Sequence, residues 1–215
     1  MDKIASDLND YLLVVNKYFS NEKIDESKVN DPRDFRYLFS TNLQNTWEKK
    51  MTEIERWNSL FQLFGEFDWA LHTRDMSFDL NHGFKLVLTF KHPELPMRNI
   101  GIICHLSLIG NLIGLYYADS KTTKNNQPIG NPHKSSLTIN NGQYEPYTSY
   151  SPFNDLHIKY KEVIIKTVHQ IFPEFTEFDN CFADHKITSI QLDDDYYASI
   201  DLFQVFFGNN IHGVI

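Results

Sequence analysis

The chain has little of what usually announces a chemistry. It carries two cysteines, Cys104 and Cys181. Two such thiols make no disulfide framework, and a reducing compartment is the simpler expectation. Neither has a Cys-x-x-Cys neighbour, and no His-Glu-x-x-His occurs among the nine histidines, so no zinc motif is present. Gly110-Asn111-Leu112-Ile113-Gly114 follows neither the Walker nor the Rossmann pattern, and Gly-x-Ser-x-Gly is missing. No motif therefore indicates a cofactor, a metal or a catalytic residue. Long apolar runs are also lacking. The richest, residues 100–117, is interrupted by His105, Ser107, Gly110 and Asn111, and falls short of the roughly 20 apolar residues that span a bilayer. Residues 1–7 lack a basic region followed by an apolar run, so no signal peptide is expected. The expectation is a cytosolic protein without a membrane partner.

Positive charge is in deficit as well. There are 20 Lys+Arg against 28 Asp+Glu, a formal net charge of -8. Nucleic-acid binders need a basic face, because release of counterions drives their affinity, so nucleic acid is not an expected partner. An acidic surface suits a basic protein partner, and it equally serves ordinary solubility.

Apolar residues, at 41% of the chain, are present in the amount a globular core requires, which excludes disorder throughout. A length of 215 residues allows a sizeable core and suggests one domain, residues 1–215. Its N-terminal part, residues 1–64, reads as helical. Ile4, Leu8, Tyr11, Leu12, Val15, Tyr18 and Phe19 form a stripe over residues 2–19. Residues 34–39 suggest a helical turn. A second helix is expected from about Asn45, with Glu48 three residues on in capping-box spacing, and Gly65 as its stop. On that helix Trp47 and Trp57 sit among helix-spaced apolar residues and read as core rather than as a ligand box.

Residues 66–118 switch to a period of two, which predicts antiparallel strands. Phe67, Trp69 and Leu71, and then Met76, Phe78 and Leu80, alternate with polar neighbours. Asn81-His82-Gly83 is a turn signal. Phe84, Leu86, Leu88 and Phe90 alternate with Lys85, Val87, Thr89 and Lys91, predicting one buried face and one wet face. Residues 100–109 and 112–118 form a second hairpin around Gly110-Asn111, apolar on both faces and therefore central. Residues 119–153 read as a long loop with a short strand candidate at 136–139. Residues 154–215 then supply a helix over 155–172 capped by Asn154 or Asp155, a strand over 186–192, and an apolar segment, 200–207, open to helix or strand, in which Leu202, Phe203, Phe206 and Phe207 bury best on a helix. The expected fold class is α+β: an antiparallel sheet of about four or five strands, flanked by N-terminal helices and a later amphipathic helix.

Three groups of residues invite a functional reading. The first is the acidic and imidazole set of Asp68, His72, Asp75 and Asp79, in which Asp68 and His72 share a strand face. It can be read as a metal site or as a wet sheet face, and the wet face is favoured. Cys104-His105 cannot act as a thiol–imidazole pair on a regular strand, where neighbours point to opposite faces. The second group is the loop containing Tyr144, Glu145, Tyr147 and Tyr150, whose aromatics offer contact area at low entropic cost or else pin the loop to the core. The third is Asp193-Asp194-Asp195, which lacks the spacing and glycine of a calcium loop and reads as a solvated turn or as a contact for a basic surface. The last two groups are the candidate partner-binding residues.

In profile the chain is similar to the immunity proteins of bacterial toxin systems, without a shared motif. The expected function is a protein-binding module, of inhibitor or immunity type, that occludes the active site of a basic toxin or enzyme. The alternative is an enzyme with an unrecognised site, for instance a metal-dependent hydrolase using Asp68, His72, Asp75, Asp79 and His105.

Overall fold

In the computed structural model, residues 7–19, 41–67, 70, 72–77, 82–91, 99–119, 147–192 and 195–208 are described. They form an α+β fold. Helices α1 (Leu8–Phe19) and α2 (Thr41–Gly65) precede four strands, β1 (His72–Asp75), β2 (Gly83–Lys91), β3 (Asn99–Ser107) and β4 (Leu112–Asp119). A short strand β5 (Tyr147–Ser149), helix α3 (Asp155–Ile171) and strand β6 (Thr176–Glu177) follow. The described residues end with a hairpin, β7 (Lys186–Leu192) and β8 (Asp195–Asp201), and a short helix α4 (Leu202–Phe207).

Strands β1 to β5 lie in sequence order, each antiparallel to the next, and β6 pairs parallel with β4. β5 and β6 share that edge of β4, meeting Tyr117–Asp119 and Leu112–Ile113 respectively. The tight β3–β4 connection depends on left-handed backbone at Gly110 (φ 74°) and Asn111 (φ 52°), the residue types that tolerate it. The Asn111 side chain accepts a hydrogen bond from Lys49 Nζ at 2.8 Å, which ties this turn to α2.

Alternation sorts the sheet into two cores. On one face Leu86, Leu88, Ile102, Cys104, Leu106 and Leu115 pack under Trp57, Leu60 and Phe64 of α2 and Ile164 and Val168 of α3. The indole of Trp57 is fully buried and stacks on Phe84 with ring centroids 4.8 Å apart. On the other face Val87, Ile103 and Tyr116 meet Tyr11 and Val15 of α1 and Phe203, Phe206 and Phe207 of α4. α2 reaches both cores, since Leu43 and Trp47 belong to the second, and its 25 residues span about 37 Å at ~1.5 Å per residue. Both tryptophans are thus packing residues.

Local signals explain most boundaries. Asn154 caps α3, its Oδ1 accepting from the His157 amide at 2.8 Å, and Pro173 follows the last turn. Arg56 closes the far end. It donates to the Ile171 carbonyl, pairs with Glu53 and Glu174, and lies 4.3 Å over the Phe172 ring. A cation at a helix C-terminus is favourably placed.

Several expectations need correction. α2 begins at Thr41 rather than near Asn45. Residues 67–71 supply no strand among the described positions, and β1 starts at His72. The sheet gains two edge segments, one of them parallel. β8 is a strand over Asp195–Asp201, where an acidic turn and the start of the apolar segment were the signals, and of that segment Ile200 is strand while Leu202–Phe207 is helix. The face of β2 expected to be wet is covered: Lys85 and Val87 are each 3% exposed. The candidates at 34–39 and 136–139 lie outside the described residues.

Candidate functional site

The candidate contact residues fall in two places. Lys186–Leu192 and Asp195–Asp201 pair only with each other among the described residues, as a two-stranded sheet separate from the main one. Their base is fastened. Ile187 and Ile200 enter the core, Lys186 Nζ lies 2.6 Å from Asp201 Oδ1, and the amides of Leu202 and Phe203 donate to the carbonyls of His185 and Ala183. At the other end Leu192 and Asp195 are the last paired residues. Asp193 and Asp194, which link them, lie outside the described residues, as does the Asp195 side chain. Seven residues per strand put that end about 20 Å from the base.

The tyrosine loop behaves differently. Tyr144 and Glu145 lie outside the described residues. Tyr147 is described only by its backbone, which pairs with Asp119 in β5. Tyr150 is 7% exposed, with its ring 4.6 Å from Phe203 and 5.3 Å from Tyr116, and its carbonyl accepts from Asn180 Nδ2. Burial, with the Asp201 carboxylate next, pushes its hydroxyl pKa well up. The Tyr150 ring is therefore a core side chain with little surface for a partner, and here the loop is pinned by its own aromatic. Tyr150 lies at the base of the β7–β8 hairpin, so the structure does not bring it together with Asp195.

The acid–imidazole set is also divided. His72 and Asp75 are both exposed on β1. Asp75 is engaged, accepting from Trp57 Nε1 at 2.8 Å and from the Ser77 amide at 2.9 Å. His105 lies on β3, four residues beyond Gly101, the cross-sheet neighbour of the His72 partner Thr89. That places it about 13 Å away along the strand. Asp68 and Asp79 lie outside the described residues, and among the described residues no group of three His, Cys, Asp or Glu gathers closely enough for a metal. Cys104 is buried on the opposite face from His105, and burial pushes its thiol up to about 12, the signature of an inert thiol.

Sequence reasoning missed a cluster of buried nitrogen bases. His82, Lys85 and His105 are 5%, 3% and 3% exposed. Lys85 and His105 are directly opposed across β2 and β3, on the face covered by α4. With Ser107, Phe206 and Phe207 they line a cavity of about 10 Å³. His82 Nε2 donates to the Val205 carbonyl at 3.1 Å. Burial, aided by the Lys50 charge, lowers its pKa to about 4. Burial also lowers Lys85 to about 8, and burial together with Lys85 holds His105 well below the usual histidine range. The lid over this cluster depends on Gly114, the cross-strand partner of His105. A Cβ there would lie 2.6 Å from the Phe207 ring, so glycine alone lets that ring settle against the sheet. The available signal was weak: a lysine in an alternating strand reads as solvent-facing unless the covering element is known.

Compared with known proteins, the chain matches no family model, no curated protein and no solved structure. Among the described residues, no helix is long and apolar enough to cross a membrane.

Proposed function

We propose that the chain is a cytosolic protein-binding module of the inhibitor or immunity type, which occludes the active site of a basic toxin or enzyme. The observation that carries this reading is the β7–β8 hairpin. It forms a sheet of its own, is anchored at one end by Ile187, Ile200 and α4, and has Asp193-Asp194-Asp195 where its strands reverse. A two-stranded sheet whose strands are linked through an Asp193-Asp194-Asp195 run carries acidic charge suited to a basic concave site. The net charge of -8 steers a basic partner toward it and speeds the encounter. Tyr144, Glu145 and Tyr147 are further proposed contacts, whereas the Tyr150 ring stays in the core.

The test compares the wild-type chain with an Asp193→Asn/Asp194→Asn/Asp195→Asn variant. Each is used to capture partners from native lysate at low and moderate salt, with mass spectrometry of the eluate. The expected result is one stoichiometric basic protein, weakened by salt and lost with the variant, whose melting temperature is unchanged. Equal capture by the variant would sink the hairpin as the contact.

A further inference from the structure

The cavity lined by His82, Lys85 and His105 involves none of the residues proposed for partner docking, and its own features point to a ligand. Its volume of about 10 Å³ admits one water-sized particle or a single-atom ion and excludes an organic substrate. His105 lines it, and its buried Nε2 finds no hydrogen-bond partner among the described residues. A buried polar atom in that state is one that a bound species normally satisfies. The surroundings carry one sign of charge. Lys85 stands opposite His105 across the strand pair, Lys50 Nζ lies 5.6 Å from the Phe84 ring centroid and is felt electrostatically by His82, and no carboxylate side chain is among the lining residues. Of the carbonyls in the last turn of α4, that of Val205 is engaged by the hydrogen bond from His82 Nε2.

The geometry points to a binding site for one monatomic anion of the halide class, held between the Lys85 ammonium and the Nε2–H of His105. Lys85 has contacts elsewhere as well, and the site rests on His105 Nε2 and on the size of the cavity. The neutral imidazole of His105 donates through whichever nitrogen bears the proton, so an anion at Nε2 selects that tautomer. Bound there, the ion ties β2 and β3 together under the Phe207 lid and stabilises the folded chain by mass action.

Two measurements test this. In the first, the melting temperature is recorded in sodium chloride and in sodium gluconate at the same ionic strength. Wild type should melt higher in chloride, rising with the logarithm of its concentration, and Lys85→Met should melt equally in both. In the second, crystals of the wild-type chain grown in sodium bromide are measured at the bromine absorption edge. An anomalous peak against His105 Nε2 is expected, and this measurement decides the matter should Lys85→Met fail to fold. Equal wild-type melting in the two salts, or a cavity without anomalous signal, would overturn the assignment, since a water molecule scatters without one.

Discussion

His82 and His105 are neutral because the interior around them penalises charge, and this has a consequence for acid stability. The pKa of His82 is about 4 in the folded chain against 6.5 when solvated. Between those values the unfolded chain binds the extra proton, so stability falls as pH drops through that window. A separation of about 2.5 pH units corresponds to on the order of 3 kcal/mol at ~1.4 kcal/mol per unit. His105 acts in the same direction. Lys85 behaves alike in the alkaline range: charged in the unfolded chain and neutral in the fold between about 8 and 10.5, it adds stability as pH rises through that interval. Urea unfolding should therefore show a lower midpoint at pH 5 than at pH 7.5. A His82→Gln variant, which keeps an N–H donor for the Val205 carbonyl, should flatten that slope. The same slope in both proteins would remove His82 as its source.

At the level of elements, α3 was legible almost residue by residue, because its start is marked by a side chain that does local work. Asn154 satisfies the His157 amide, one of the donors that the first helical turn leaves unpaired. Asn154→Ala should cost about 1 kcal/mol of stability, read from the denaturation midpoint, while Asn154→Asp should restore most of it. An unchanged midpoint in Asn154→Ala would mean that packing on Phe153 and Tyr117 fixes the N-terminal turn instead. The β3–β4 hairpin was equally plain, since Gly110-Asn111 supplies both left-handed positions and the strands are apolar on both faces. β1 and β8 were harder. β1 is four residues long, with exposed His72, Arg74 and Asp75, and it exists because β2 offers an edge to pair with. β8 takes its register from β7 rather than from a strong pattern of its own. Pairing partners of this kind are a tertiary property, and short polar strands carry too few apolar residues to declare them.

On the scale of the molecule, one sheet serves two cores, and α2 contributes to both through Trp57 on one side and Trp47 on the other. Neither core can be lost while the other keeps its sheet wall, so the described body should unfold as one cooperative unit. Single-tryptophan variants that retain Trp57 or Trp47 should report the same midpoint and slope by fluorescence. Two separated transitions would show that the helical layers come away independently.

Composition and periodicity by themselves determined the fold class, the central β2–β3–β4 strands and the three long helices. Each of these is written in local spacing, at 3.6 or 2 residues, and in turn chemistry such as Gly110-Asn111 and Asn154. Tertiary structure alone decided which surfaces stay open. Lys85 is placed like any solvent-facing lysine in an alternating strand, and Tyr150 like any loop tyrosine. Both are buried because α4, more than fifty residues further along the chain, lies over that face of the sheet. Burial of this kind depends on which distant element arrives, and a pattern of neighbours along the chain holds no record of it.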